Sequence, residues 1–212
     1  MRPKQPSSVE PWGDGAFGLG GILHAGWADR PHASVELTDE RLLGQRLRWD
    51  LCYKHGVAAD RFRVQLGDGP ERSFAVKSAD PIGKLEHVEL EARGLAKLTV
   101  TVDDGRPDFC GLVVETFPEE KAGVVLDNLG INGARYGTAL AWNEQAWAAE
   151  VRRRTPDLFI FEYGGNEAGD RTTTPSTYGE QALELIARAR RSQPELSCLV
   201  IGIDRLDSLR DL

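Results

Sequence analysis

Between Arg46 and Glu115 the chain repeats one pattern: a short stretch in which apolar and polar residues mostly alternate, followed by a turn signal. The stretches are Arg46-Leu-Arg-Trp-Asp-Leu-Cys-Tyr53, Arg61-Phe-Arg-Val-Gln-Leu66, Lys84-Leu-Glu-His-Val-Glu-Leu-Glu91, Lys97-Leu-Thr-Val-Thr-Val102 and Phe109-Cys-Gly-Leu-Val-Val-Glu115. A period of two sends successive side chains to opposite faces of a strand, so each stretch can bury one face of a sheet. Gly67-Asp-Gly-Pro70, Asp80-Pro81, Arg93-Gly94 and Asp103-Asp-Gly-Arg-Pro107 supply the turns. The pattern predicts an all-β sandwich module of jelly-roll type over residues 12–118. Residues 1–11 are polar, contain Pro3, Pro6 and Pro11 and lack periodicity, which predicts a flexible lead-in. The glycines of Gly13-Asp-Gly-Ala-Phe-Gly-Leu-Gly-Gly21 have no helix pattern behind them, so they read as tight turns and strand entry rather than a phosphate-cradling loop.

After Pro118-Glu-Glu-Lys-Ala-Gly123 the pattern changes. Val124-Val-Leu126, Asp157-Leu-Phe-Ile-Phe-Glu-Tyr163 and Cys198-Leu-Val-Ile201 are apolar runs of the kind buried parallel strands show. Between them, Trp142 to Arg154 predicts a helix with Trp147 and Val151 on one face. Its basic Arg152-Arg-Arg154 end suits the helix dipole, and Thr155-Pro156 stops it. Thr177 to Ser192 predicts a second helix with Tyr178, Ala182, Leu185, Ile186 and Ala189 as its apolar stripe. Strand, helix, strand, helix, strand implies an α/β class with parallel strands and right-handed crossovers.

In such a sheet the ligand site lies beyond the carboxyl ends of the strands. Two glycine motifs fall there, Leu129-Gly-Ile-Asn-Gly-Ala134 after the first run and Tyr163-Gly-Gly-Asn-Glu167 after the second. Acyl transfer requires donors aimed at the oxygen that turns negative in the tetrahedral intermediate, and a glycine N–H with an asparagine side-chain amide can supply them. Gly133 and Asn166 are the candidate pair. Glu167 reads as a carboxylate that holds its loop by accepting backbone N–H bonds, and Asp127 as another loop-fixing group.

These two motifs, with Trp142 and Pro156-Asp157 between them, resemble the second and third blocks of the SGNH (GDSL-like) hydrolases, most closely the bacterial members with a β-rich, carbohydrate-binding-like insert. The resemblance implies a flavodoxin-like, three-layer α/β domain over 121–212, with an incomplete parallel sheet, preceded by the β module. It also implies an acyl- or acetylesterase acting on O-acylated carbohydrate or another small ester, secreted or periplasmic in its full-length form. The family's nucleophile is the serine of a Gly-Asp-Ser block and its base the histidine of an Asp-x-x-His block, and neither block is identifiable. Gly13-Asp14 and Gly67-Asp68 are each followed by glycine, and His24, His32, His55 and His87 all lie in the β module. A serine without a positioned base is a weak nucleophile. In the family the nucleophile's strand lies between those that precede the second and third blocks, so its absence leaves a gap. The expectation is a fragment whose missing strands come from a longer parent chain, inactive by itself.

The other functional reading is a non-catalytic glycan-binding or interaction protein working through the β module. Trp27 and Trp49 are its candidate stacking residues, alongside Trp12 and Tyr53. A net charge of -7 argues against a grip on nucleic acid. No apolar run has the length of a membrane span, and the basic start is not followed by an apolar stretch, so no export signal is expected. Cys52, Cys110 and Cys198 lack ligand spacing, which predicts buried free thiols, no metal site and no cofactor.

Overall fold

The structure is a computed structural model and describes residues 2–4 (backbone only), 15–29, 31–56, 58–77, 79, 83–117, 123–170 and 172–202. Two compact units divide it: Ile22–Asn128 together with Arg2–Lys4, and residues 15–21 with 129–202.

The first unit is built from β1 (Arg2–Lys4), β2 (Leu23–Ala25), β3 (His32–Glu36), β4 (Arg46–His55), β5 (Asp60–Leu66), β6 (Arg72–Val76), β7 (Lys84–Arg93), β8 (Lys97–Asp104) and β9 (Asp108–Thr116). One antiparallel sheet runs β1-β2-β9-β4-β7 and the other β3-β8-β5-β6. Leu47, Trp49, Leu51, Tyr53, Val88 and Phe109 from the first sheet meet Phe62, Val64, Val76, Leu98 and Val100 from the second in one core. Alternation produces this directly: every second residue of β4 from Leu47 to Tyr53 points into the core. Arg2–Lys4 pairs with β2, Arg2 opposite Ala25, while the rest of the expected lead-in lies outside the described residues.

Cys52 and Cys110 form a disulfide, which corrects the expectation of free thiols at these positions. They are 58 residues apart, so spacing alone could not reveal the pairing. The sheet brings them together: β4 and β9 are neighbours, and a bulge between Cys52 and Tyr53 leaves Cys110 as the extra residue, with Cα atoms 5.1 Å apart. Cys198 remains a free, partly buried thiol.

The second unit contains α1 (Tyr136–Leu140), α2 (Glu144–Arg154), β10 (Leu158–Glu162), α3 (Gly165–Ala168), α4 (Pro175–Ser192) and β11 (Ser197–Ile201). Asn143 caps α2 through Ala146 N (2.9 Å), and the helix ends where Thr155 turns left-handed before Pro156. Thr174 caps α4, with Pro175 in its first turn. β10 and β11 are parallel, Leu158 opposite Ser197 and Glu162 opposite Ile201. Tyr136, Trp142, Trp147, Val151, Phe161, Leu185, Ala189 and Leu196 form the core, with Phe17 and Leu19 packed against it. Arg188, buried, donates to Ala139 O (3.1 Å), Leu140 O (3.2 Å) and Trp142 O (2.6 Å), closing the carbonyls at the end of α1.

The expected fold class is overturned. The chain is mostly β, with four α-helices and a parallel sheet of only two strands among the described residues, rather than carrying a flavodoxin-like three-layer α/β domain after its β module. Val124-Val-Leu126, expected as the first buried strand, forms no strand, and its side chains are 98%, 65% and 81% exposed. A parallel strand is stable when neighbours pair its edges and helices cover its faces. Here Phe159, Phe161 and Cys198 face the second core, whereas Leu158, Ile160, Leu199 and Ile201 on the other face remain exposed. Among the described residues no helix is long and apolar enough to cross a membrane.

Two measurements check the forces in the first unit. Closing a loop of 58 residues restricts the unfolded chain by about 4 kcal/mol in the chain-entropy model, so Cys52→Ala with Cys110→Ala is expected to lower the urea-unfolding free energy by roughly 2–4 kcal/mol. At the end of β4, Glu86 accepts from Lys84 Nζ (2.9 Å) and Tyr53 Oη (2.8 Å), and His55 Nε2 lies 3.1 Å away. The Lys84 and Tyr53 hydrogen bonds, in that order, pull its carboxyl from 4.5 down to about 2. A lowered folded value adds stability that is complete above the unfolded one and is lost as pH falls towards 2. Glu86→Gln is expected to flatten the acid dependence of the melting temperature between about pH 4.5 and 2.

Candidate active site

In the second unit the first glycine motif makes a turn in which Ala134 N donates to Ile131 O (3.1 Å). Gly133 takes φ = 78°, a left-handed conformation that glycine enters without penalty. Arg135 then caps α1, its N–H donating to Thr138 Oγ1 (3.1 Å). The second motif leaves β10 at Tyr163 and turns at Gly164, φ = 122°, into α3, which carries Asn166 and Glu167.

Three contacts tie these loops together. Glu167 is 5% exposed; its Oε1 accepts from Tyr136 N (2.9 Å) and its Oε2 from Gly164 N (3.0 Å). Asn166 Nδ2 donates to Ala134 O (2.8 Å). Arg135 Nη1 pairs with Asp170 Oδ2 (2.9 Å) just after α3. Asp170 also accepts from Thr172 N (2.9 Å), Thr172 Oγ1 (2.7 Å) and Thr173 Oγ1 (3.2 Å), and the Thr172 bonds foremost hold its carboxyl below the usual range. Behind the loops Tyr136 packs against Tyr163 and Tyr178 at 4.5 and 5.3 Å, and Tyr178 Oη donates to Tyr163 O (3.2 Å). Burial first, and the Glu167 charge second, push the Tyr163 phenol up.

Gly133 and Asn166 are thus held on two loops joined by direct hydrogen bonds. An amide NH2 has two donors, so with one Asn166 N–H on Ala134 O the other has a fixed direction. The Gly133 N–H has no hydrogen-bond partner among the described residues. The role of Glu167 as a loop-fixing carboxylate was readable from its place in the motif. Arg135 and Asp170 were not, because an Arg one residue past a glycine turn and an Asp three past a Glu are ordinary surface choices.

In the first unit Trp49 is fully buried between Leu47 and Leu51 and offers no face to a sugar, which removes it as a stacking residue. Trp27 is partly buried, with the Arg106 guanidinium 3.8 Å from its ring centroid. His87 Nδ1 lies 2.9 Å from Asp50 Oδ1, so His87 and His55 both sit against strand carboxylates.

No family model and no curated protein matches the sequence. Among solved structures, the chain is similar to a peptidoglycan O-acetylesterase with a TM-score of 0.60 and 20% identity, over 94% of this chain and 52% of that one. The likeness is one of fold, and the chain spans about half the length of that acetylesterase. Weaker similarities link it to a family 35 carbohydrate binding module from Clostridium thermocellum (TM-score 0.33, 9% identity, 53% of this chain and 90% of that one). A family two carbohydrate esterase from Clostridium thermocellum in complex with cellohexaose has a TM-score of 0.30 at 12% identity, over 93% of this chain and 80% of that one. Structural neighbours therefore include carbohydrate esterases and carbohydrate-binding modules, all at low sequence identity.

Glu167→Gln keeps the side chain's size but replaces one acceptor oxygen with a donor that faces a backbone N–H. It is expected to cost roughly 1–3 kcal/mol in urea unfolding, with faster hydrogen exchange at the Tyr136 and Gly164 amides.

Proposed function

We propose that the second unit is the oxyanion-stabilising part of an SGNH-type ester hydrolase that removes acyl groups, such as acetyl, from O-acylated carbohydrate. The observation that carries this reading is the stapling of the two glycine motifs by Glu167 and Asn166, which leaves the Gly133 N–H and one Asn166 N–H uncommitted. In the proposed reaction a serine attacks the ester carbonyl, and the oxygen that becomes negative takes those two hydrogen bonds. The alcohol of the sugar leaves, and water then releases the acyl group from the serine. Fixed donors need no reorientation as charge develops, which lowers the barrier without any cofactor in the scheme.

The nucleophile and the base are to be supplied by polypeptide beyond these 212 residues, since neither the Gly-Asp-Ser nor the Asp-x-x-His block can be identified in them. The chain by itself is accordingly expected to show no hydrolysis of p-nitrophenyl acetate above buffer. Hydrolysis that disappears in Asn166→Ala would overturn this.

A second reading rests on the stack of Arg106 on Trp27, which places an aromatic ring and a cation together in the first unit. In that reading the unit binds glycan without catalysis. A glycan array would show a specific signal that Trp27→Ala abolishes, and an unchanged array would remove the reading.

A further inference from the structure

The inner faces of a β-sandwich normally interdigitate, but on the side of β2 and β3 the two sheets of the first unit do not close. β3 is an edge strand, and its Ala33 and Val35 stand opposite Val100 and Leu98 of β8, both core residues. Side chains directly opposite in an antiparallel pair share a face, so Ala33 and Val35 are turned towards the other sheet. Val35 is nevertheless 47% exposed. In the first sheet His24 of β2 stands opposite Phe109 of β9, again a core residue, so its imidazole also faces inward. Between them lies an open cleft of about 240 Å³, with Leu51, Val100 and Phe109 as its buried wall. Among the described residues that line it, His24 is the only titratable one. The ring is half-buried and has no hydrogen-bond partner among the described residues. Burial, foremost, lowers its pKa from the ordinary value, so the imidazole at the cleft is neutral at pH 7.

Sites for small molecules are concave and mostly apolar, with a few polar groups that fix orientation. A sugar seated here would set most of its hydroxyls against leucine and valine, and an anion would meet no cation on the lining. An apolar body with one neutral polar tip matches the cleft. A closed apolar cavity of about 150 Å³ holds one benzene, so about 240 Å³ takes a substituted ring. A ring loses less conformational freedom on binding than a chain of equal size, and Phe109 gives it an aromatic neighbour. We propose that the cleft binds a small phenol-type molecule, its ring against Leu51, Val100 and Phe109 and its hydroxyl on His24. A neutral imidazole has one acceptor nitrogen for the phenol O–H, and a phenol keeps its proton at pH 7. The inference uses neither Gly133 and Asn166 nor Trp27, so it stands apart from both functional readings above.

The test is a ¹⁵N NMR titration of the whole chain with p-cresol, toluene and glucose at pH 7. p-Cresol is expected to shift the Val35, Leu51 and Leu112 amides and to bind roughly fivefold more tightly than toluene, which lacks the hydroxyl. Ala33→Phe, which fills the cleft from β3, should abolish these shifts without lowering the melting temperature. His24→Leu should raise the melting temperature and reduce p-cresol to the affinity of toluene. The inference is overturned by p-cresol leaving those amides unmoved, by toluene binding as tightly, or by glucose shifting the same amides in its place. Binding retained in Ala33→Phe, or a preference for p-cresol retained in His24→Leu, overturns it as well.

Discussion

Glu167 commits each of its carboxylate oxygens to a main-chain amide, one from Gly164 in its own loop and one from Tyr136, 31 residues earlier. Ionised acceptors make the stronger hydrogen bonds, and burial raises the cost of leaving any of these groups unpaired. The carboxylate and the two amides therefore fix one another. Asn166 is the residue before Glu167 and Arg135 the residue before Tyr136, so the backbone that carries both is held by this one carboxylate. The Tyr136, Tyr163 and Tyr178 cluster behind it supplies the packing that keeps water from competing.

The first unit is held by different means. Two antiparallel sheets bury alternate residues against each other, and within one of them Glu86 on β7 accepts from Tyr53 on the neighbouring β4 and from Lys84. In the second unit helices cover one face of a two-stranded parallel sheet and Arg188 closes the end of α1. The exposed residues on the other face, Leu158, Ile160, Leu199 and Ile201, show how little of a parallel sheet two strands can complete.

What could be read from the sequence follows the range of the forces involved. Strands β4, β5, β7, β8 and β9 were legible because alternation is local, and α2 and α4 because their apolar stripes, and the Thr155-Pro156 stop of α2, are local too. Val124-Val-Leu126 has the composition of a buried strand, but strand formation also needs a neighbour, which no local pattern reports. The same limit hid the Cys52–Cys110 pairing and the burial of Trp49, both of which depend on which strands become adjacent. At the candidate site the glycine turns and Glu167 were legible in the motifs themselves. The partnership of Arg135 with Asp170 was not, since it arises only once two distant loops have met.

The bond between Cys52 and Cys110 also changes how the molecule responds to tension. A chain pulled from its two ends normally gains length as each strand peels away. Here everything between the two half-cystines is bypassed, because load passes from β4 to β9 through sulfur. At about 3.4 Å per extended residue, the 58-residue span withholds roughly 200 Å of contour. Under oxidising conditions β5 to β8 can lose their order without lengthening the chain, and only the strands outside the sulfur-closed loop add length under load.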